Sequence, residues 1–333
     1  MKLKIIFIAS LLLLSVFSFG QTEKITNQWV GVSIAKYTYD ANGNLIQELD
    51  YYWDESKNKW VKRIRFEYTY KDNNTQRYYY EWNESINKWF AKSKIIYTYD
   101  SNGNEIQMLS YIWDESTTEW IILSKTENTY NSSGNMIQML NYHWDESTTQ
   151  WVESDKRSNS YDANGNMIQE IRYNWDESTT QWFKLSKAEY TYNSNGNMIQ
   201  DIRYNWDESI TQWVKLSKTE NTYNSNVNMI QELSYKWSEK ASYWVNKMKE
   251  EYTHDDNGNK IQEVHYHWVE NTSQWVEYVK EEYTYDDKEN KINEIYYDWD
   301  ESISQWDESI FAKYTYDVNE KLITLEIYSY KFE

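Results

Sequence analysis

The chain has 333 residues, of which 34 are Lys or Arg, 53 are Asp or Glu, and none is Cys or Pro. A chain without cysteine can form no disulfide, thiolate metal site or cysteine nucleophile, and a chain without proline favours long uninterrupted strand ladders. With 19 Trp, 33 Tyr and a formal charge of -19, it is both aromatic and strongly acidic. Nucleic acids and anionic lipid surfaces are disfavoured as partners, because their binding depends on basic patches.

The first twenty residues differ in kind from the rest. Lys2 and Lys4 precede an apolar run from Ile5 to Leu14, and small residues lead to Gly20. This pattern predicts a secretory signal peptide over residues 1–20, cleaved after Gly20, because the apolar run is short for a retained span. We therefore expect residues 21–333 to be secreted or displayed at the cell surface, with no membrane span after cleavage.

The rest of the chain is one repeat. The second aromatic residue of "YTYD" recurs every 31 residues, except for one spacing of 29. A half unit begins the array at Trp29, and another ends it where Tyr330 takes the place of a tryptophan. No linker interrupts the array, so residues 21–333 are predicted to be a single continuous domain. The recurring positions are Tyr39, Tyr70, Tyr99, Tyr130, Tyr161, Tyr192, Tyr223, His254, Tyr285 and Tyr316.

Each unit contains two runs of strand character, joined by two kinds of turn. In the first kind, "DANGN" at Asp40 to Asn44 predicts a three-residue hairpin loop closed by a glycine in the left-handed conformation. Pairing of Asp40 with Asn44 then places Tyr39 opposite Leu45. Val227 occupies the glycine position in "NSNVN", and a β-branched residue is strained there. We expect that hairpin to be the least well formed. The predicted structural turn glycines are Gly43, Gly103, Gly134, Gly165, Gly196 and Gly258.

The second kind of turn is "WDESTTQW", found at Trp144–Trp151 and repeated unchanged at Trp175–Trp182. A four-residue loop with Asp145 opposite Gln150 places Trp144 opposite Trp151, and cross-strand aromatic pairs stabilise hairpins. The segment therefore predicts a hairpin turn held by two tryptophans.

Together the two turns predict the fold. They place tyrosines and tryptophans on one aromatic face, with Lys187 and Glu189 on the other, and they offset the pairing by two residues per unit. A constant offset tilts the strands and coils the sheet. The expected fold is an all-β, antiparallel array of about twenty strands, curling into a spiral or superhelical sheet. A transmembrane barrel is disfavoured, because Lys184 and Glu153 would face lipid mid-strand.

"YTYDANGNLI" at Tyr37 to Ile46 resembles the YD repeat of Rhs-type and toxin-complex proteins. The segments "YTYDSNGNEI" at Tyr97 and "YTYNSNGNMI" at Tyr190 match that pattern similarly. The resemblance implies exported β-hairpins that wind into a hollow spiral shell, which in that family sometimes encloses a toxin. It covers about ten residues of each unit, and "WDESTTQW" lies outside the family pattern.

Candidate catalytic and metal sites are sparse. His265 and His267 in "HYHW" share a strand face, and Glu263 could be a third ligand. Other units carry different residues at the histidine positions, which indicates variable surface positions rather than a metal site. Repeated carboxylates also suit a turn better than a catalytic centre, so we expect no enzyme activity, cofactor or metal. Weak Ca²⁺ binding by the acidic turns is the exception, although "DANGN" lacks the EF-hand spacing. In neighbouring units, the positions of His265 and His267 are occupied by Arg203, Asn205, Ser234 and Lys236.

The expected function is an exported, non-catalytic scaffold or adhesin that meets a cell-surface protein. One alternative is a multivalent carbohydrate-binding protein whose tryptophans stack on extracellular polysaccharide, since linked weak sites raise avidity. Another alternative is a fragment of a YD-type toxin shell. The candidate stacking residues are Trp113, Trp120, Trp144, Trp151, Trp175, Trp182, Trp206 and Trp213.

Overall fold

The computed structural model describes residues 28–331, and the predicted signal peptide lies outside them. The described chain forms twenty β-strands. Within it, no helix is long and apolar enough to cross a membrane. The strands are β1 (Gln28–Tyr39), β2 (Leu45–Asp54), β3 (Lys59–Lys71), β4 (Asn74–Asn83), β5 (Lys88–Tyr99), β6 (Glu105–Asp114), β7 (Glu119–Tyr130), β8 (Met136–Asp145), β9 (Gln150–Tyr161), β10 (Met167–Asp176), β11 (Gln181–Tyr192), β12 (Met198–Asp207), β13 (Gln212–Tyr223), β14 (Met229–Ser238), β15 (Tyr243–His254), β16 (Lys260–Val269), β17 (Gln274–Tyr285), β18 (Lys291–Asp300), β19 (Gln305–Tyr316) and β20 (Leu322–Lys331).

Consecutive strands pair antiparallel throughout, and the sheet closes on itself. β1 pairs with β2 on one side and with β20 on the other, with Ala35 opposite Leu325. Closure brings Trp29 opposite Tyr330, so the two terminal half units meet as one complete unit. The all-β antiparallel hairpin array is confirmed, but the predicted spiral or superhelical sheet is wrong. The offset per hairpin tilts the strands enough for a closed barrel, and closure removes the two unpaired edges that a spiral would leave.

Both predicted hairpin registers are confirmed. Asp145 lies opposite Gln150 and Trp144 opposite Trp151, while the Asp40 amide donates to the Asn44 carbonyl and Tyr39 lies opposite Leu45. The shortened hairpin between β3 and β4 has Lys71 opposite Asn74 and no register shift. This two-residue turn accounts for the one 29-residue spacing.

The predicted single aromatic face is wrong, because β-bulges shift the alternation of side chains. In the β11–β12 hairpin the register shifts beside Tyr192, so Tyr190 lies opposite Asp201 and Glu189 opposite Ile202. A second shift occurs between Arg203 and Tyr204 in the β12–β13 pairing. A bulge adds one residue to one strand and therefore moves the following side chains to the other face.

The sheet thus has two different faces. The Trp face carries the tryptophan pairs with residues equivalent to Ile202, Tyr204, Lys187 and Glu189. The Tyr face carries residues equivalent to Tyr190, Ala188, Asp201 and Arg203.

Burial shows which face points inward. Every buried described side chain belongs to the Tyr face, from Glu48 with 2% exposure to Ala188 and Asn221 with 9%. Side chains converge on the inside of a closed barrel and diverge on its outside. The Tyr face therefore lines the barrel, and the Trp face is its outer surface. The buried set is Glu48, Asp50, Val61, Thr126, Glu170, Ala188, Asp201, Asn221, Glu263, Tyr283, Glu294 and Ala312.

The barrel is too wide for its side chains to fill. Twenty strands about 4.8 Å apart give a circumference of about 100 Å before tilt is added, and a backbone diameter above about 30 Å. No described residue is less than 2% exposed, and Glu48, at 2%, is the most buried. The fold is accordingly held by its hydrogen-bond ladder and by neighbour contacts along each face, without a central hydrophobic core.

Candidate functional site

The tryptophan pairs are the most regular feature of the outer face. Nine pairs have ring centroids 5.0–5.3 Å apart and interplanar angles of 60–71°. Edge-to-face packing of this kind contributes about 0.5–1.5 kcal/mol beyond area burial. The eight candidate stacking tryptophans all belong to such pairs and are half-buried. Each pair therefore closes its hairpin and also presents indole surface to solvent.

The polar residues of the "WDESTTQW" turn bond to one another. Asp145 Oδ1 accepts from the Ser147 amide at 2.9 Å and its hydroxyl at 2.7 Å, and Oδ2 accepts from Thr148 Oγ1 at 2.6 Å. The Thr148 and Ser147 hydroxyls and the Ser147 amide lower the pKa of Asp145 to about 2. Thr149 then takes the left-handed conformation at φ 54°. These contacts stabilise the turn, and they account for the recurrence of Asp, Ser and Thr in it.

The glycine turns follow the same principle. All six predicted glycines have positive φ, between 79° and 88°. In the first of these turns Asp40 Oδ1 accepts from the Asn42 and Asn44 amides at 2.9 and 2.8 Å, and Oδ2 accepts from Asn44 Nδ2 at 2.9 Å. Binding of Ca²⁺ at such a turn would compete with these bonds.

Val227 keeps the same turn. It has φ 70°, its amide donates to Asn224 at 3.1 Å, and the Asn224 amide donates to Asn228 at 2.9 Å. The distances equal those of the glycine turns, so the expected loss of order in this hairpin is wrong. Glu289 and Glu320 occupy the equivalent position at φ 66° and 64°. Backbone strain, rather than lost hydrogen bonds, is the cost at these three positions.

Lysines cover the tryptophans in some units and leave them uncovered in others. Lys184 Nζ lies 4.3 Å from the ring centroid of Trp206, and Lys215 Nζ lies 4.4 Å from that of Trp237. Ile122 and Glu153 replace this lysine before Trp144 and Trp175. Among the candidate stacking residues in the described chain, a lysine Nζ lies within 6 Å of the ring centroid in Trp120, Trp151, Trp182, Trp206 and Trp213. No described lysine or arginine lies over the rings of Trp113, Trp144 and Trp175.

A second motif of the outer face was missed by the sequence analysis. Lys187 Nζ lies 4.2 Å from the Tyr204 ring centroid and 2.7 Å from Glu189 Oε1, and the Tyr204 hydroxyl donates to Glu189 Oε2 at 2.9 Å. Burial and the Glu189 carboxylate raise the pKa of Tyr204 to about 12. The signal in the sequence is Lys-x-Glu with a tyrosine 15 residues after the glutamate. It recurs at Lys125, Glu127 and Tyr142, at Lys218, Glu220 and Tyr235, at Lys249, Glu251 and Tyr266, and at Lys280, Glu282 and Tyr297.

On the inner face, His265 is surrounded by three glutamates. Glu250 lies directly opposite it on β15, and Glu263, two residues away on β16, lies opposite Glu281 on β17. Burial disfavours the imidazolium, but the three carboxylates outweigh burial and raise the pKa of His265 to about 12. His267 shares this face but lies beside Tyr278, with ring centroids 5.8 Å apart. Tyr278 also lies 6.0 Å from His265 between ring centroids, so the two histidines share one strand face, as the sequence predicted, with the same tyrosine beside both.

Comparisons with known proteins give partial likenesses. A family of unknown function, DUF3836, matches residues 30–96. A Bacteroides fragilis protein of unknown function is 18% identical, covers 38% of this chain and 91% of its own, and has a TM-score of 0.35. A DUF3836 family protein from Bacteroides vulgatus is 19% identical over 28% of this chain and 90% of its own, with a TM-score of 0.25.

The solved structure of TcdB2-TccC3 is also similar. It is 10% identical, over 87% of this chain and 21% of its own, with a TM-score of 0.21. The chain matches no curated protein.

Proposed function

We propose that this chain is an exported, non-catalytic repeat protein that acts outside the cell as a scaffold or adhesin. The observation that carries the proposal is the periodic outer face. Tryptophan pairs and Lys–Tyr–Glu groups recur there from repeat to repeat, so one partner surface could meet several equivalent contacts. Linked weak contacts of this kind raise avidity without any single tight site.

The barrel geometry suits a rigid display surface. Every described strand pairs on both sides, so no edge is left to recruit further strands. The hairpins of a longer YD-type shell could continue the sheet only by opening the β1–β20 pairing, which makes the toxin-shell alternative weaker.

The scaffold proposal is tested in the cells that produce the protein. We expect the protein in the medium or on intact cells, where added protease degrades it, and we expect labelled residues 21–333 to bind those cells. Cell binding that persists in Lys187→Ala but is lost when Lys125, Lys187, Lys218, Lys249 and Lys280 are all changed to Ala would support repeated weak contacts. Protection from protease in intact cells, or no cell binding, would contradict the proposal.

Carbohydrate binding is a second candidate, favoured by the uncovered indoles of Trp113, Trp144 and Trp175. A sugar ring could stack on these without displacing an ammonium group. The test compares retention on a panel of polysaccharides for two triple variants. Changing Trp113, Trp144 and Trp175 to Leu should weaken retention, whereas the matched change of the lysine-covered Trp82, Trp206 and Trp237 should preserve it. Equal loss in both variants would point to unfolding, and no retention of the parent protein would remove this candidate.

A further inference from the structure

Three glutamates each place one carboxylate oxygen close to the imidazole of His265. Glu250 Oε1 lies 3.5 Å from Nδ1, whereas Glu263 Oε1 and Glu281 Oε1 lie 3.2 and 3.7 Å from Nε2. The side chains of His265, Glu263 and Glu281 are only 16%, 11% and 17% exposed. The group is therefore a compact cluster in the barrel wall rather than a set of loose surface charges.

The second oxygen of each carboxylate is held by another residue. The Tyr252 hydroxyl donates to Glu250 Oε2 at 2.5 Å, and the Tyr283 hydroxyl donates to Glu281 Oε2. Lys260 pairs with Glu263 Oε2. Each carboxylate is thus oriented through one oxygen while its other oxygen faces His265, the arrangement by which outer groups position metal ligands.

His265 is also left with an unsatisfied atom. Its Nε2 is buried and has no partner in hydrogen-bonding geometry, although two carboxylate oxygens lie at ion-pair distance. Buried polar atoms without a partner are rare and call for a specific explanation. A cation bound at Nε2 would satisfy this nitrogen together with Glu263 Oε1 and Glu281 Oε1, and Glu250 Oε1 reaches the same imidazole from the Nδ1 side.

The equivalent positions in other units show what a purely structural solution looks like. Arg172 pairs with Glu170 at 2.7 Å, and Arg203 pairs with Asp201 at 3.0 Å. In those units a guanidinium neutralises the inner acid. In the β16 unit Lys260 neutralises Glu263, which leaves Glu250 and Glu281 to be neutralised by His265 or by a bound cation.

We propose that Glu250, Glu263 and His265 form a binding site for a divalent transition-metal ion of the Zn²⁺ class. One ligand atom from each lies within 4.8 Å of the other two, and Glu281 Oε1 is a fourth ligand atom beside Nε2. Metal–ligand bonds of about 2.0–2.2 Å place neighbouring ligand atoms about 3.4 Å apart. Small rotations of these side chains, with the strands fixed, would bring the ligand atoms from within 4.8 Å of one another to this shorter separation. Imidazole and carboxylate ligands suit Zn²⁺ and its neighbours better than Ca²⁺ or Mg²⁺.

The test measures Zn²⁺ binding to the chelator-treated exported chain by titration calorimetry, and Co²⁺ binding by visible absorption. We expect one ion per chain. His265→Arg installs the arginine of the equivalent units, so it should keep the melting temperature of the metal-free barrel while weakening Zn²⁺ binding at least about 100-fold. Glu263→Gln should weaken binding similarly, and His267→Asn, on the same strand face, should change it less than about threefold.

Two results would overturn the proposal. The first is a parent protein that binds no Zn²⁺ or Co²⁺, which would leave His265 as an imidazolium held by three carboxylates. The second is equal Zn²⁺ affinity in the parent protein and in His265→Arg, which would place the ion elsewhere. A rise in melting temperature with Zn²⁺ in the parent protein and none in His265→Arg would support the site independently.

Discussion

Lys184 covers the indole of Trp206 on the next strand, with its ammonium nitrogen 4.3 Å from the ring centroid. The position one unit earlier is Glu153, and no cation lies over Trp175 in the described chain. Two neighbouring repeats of almost the same sequence therefore differ at this contact: one places a lysine over the tryptophan, and the other has a glutamate at the equivalent position. This pair of units can be used to measure what the lysine contributes.

We expect Lys184→Glu to lower the free energy of unfolding by about 0.5–1 kcal/mol, because an exposed cation–π contact contributes about that much. The reciprocal change Glu153→Lys should raise it by a similar amount. Urea denaturation at low and high salt measures both. Loss of both effects at high salt would show that long-range charge repulsion, rather than the contact with the indole, controls stability at this position.

Much of this architecture could be predicted because the repeat carries local signals. The Asp-x-Asn-Gly-Asn turn and the tryptophan spacing determine loop length, and loop length determines which residues lie opposite each other. Asp40 and Asn44, and Trp144 and Trp151, were placed correctly for that reason.

The two faces could not be predicted, because a bulge leaves little trace in the sequence. The extra residue beside Tyr192 and the one between Ser186 and Lys184 are ordinary strand residues. Closure depends on strand number and tilt summed over the whole chain, which no single unit shows. The His265 cluster joins residues from three strands: Glu263 lies two positions from His265, but Glu250 and Glu281 lie 15 and 16 positions from it in the sequence.

Barrel closure gives the next prediction. Ala35 and Leu325 lie directly opposite each other across β1 and β20, and the chain has no natural cysteine. The double variant Ala35→Cys, Leu325→Cys should form an intramolecular disulfide under mild oxidation, because opposed strand residues lie about 4.5–5.5 Å apart at Cα. Mass spectrometry of the digested monomer detects it.

The matched control pairs Ala35→Cys with Ala188→Cys, which lies on β11, far from β1 in the order of pairing. It should give free thiols or intermolecular dimers. A failure of the first pair to cross-link while the control behaves as expected would favour an open sheet.

The turn at Val227 predicts a stabilising substitution. A valine at φ 70° is strained by about 1–2 kcal/mol relative to glycine, and the greater entropy of glycine in the unfolded chain offsets part of that. Val227→Gly should therefore raise the free energy of unfolding by about 0.5–1 kcal/mol. Gly196→Val, one unit earlier, should lower it by at least as much. No change on Val227→Gly would mean that the turn relaxes around the valine.

The last prediction concerns Glu48, which is 2% exposed and has a buried Oε2 without a hydrogen-bond partner. Burial first, and then the neighbouring Asp50 carboxylate, raise its pKa from 4.5 to about 7, against the lowering effect of Arg77. An acid whose pKa is higher in the folded chain takes up a proton on folding. Its contribution is therefore destabilising at neutral pH, and stability rises as the pH falls from about 7 towards 4.5.

Glu48→Gln keeps the shape and removes the charge. It should raise the free energy of unfolding by up to about 3 kcal/mol at pH 7.5, since each pKa unit corresponds to about 1.4 kcal/mol, and should have little effect at pH 4. Glu170→Gln at the equivalent inner position is the control. It leaves Arg172, 2.7 Å away, without its charged partner, so it should destabilise at pH 7.5. Urea denaturation of the three proteins across this pH range decides the matter, because a pH-independent effect of Glu48→Gln would show that packing, not ionisation, sets the cost of Glu48.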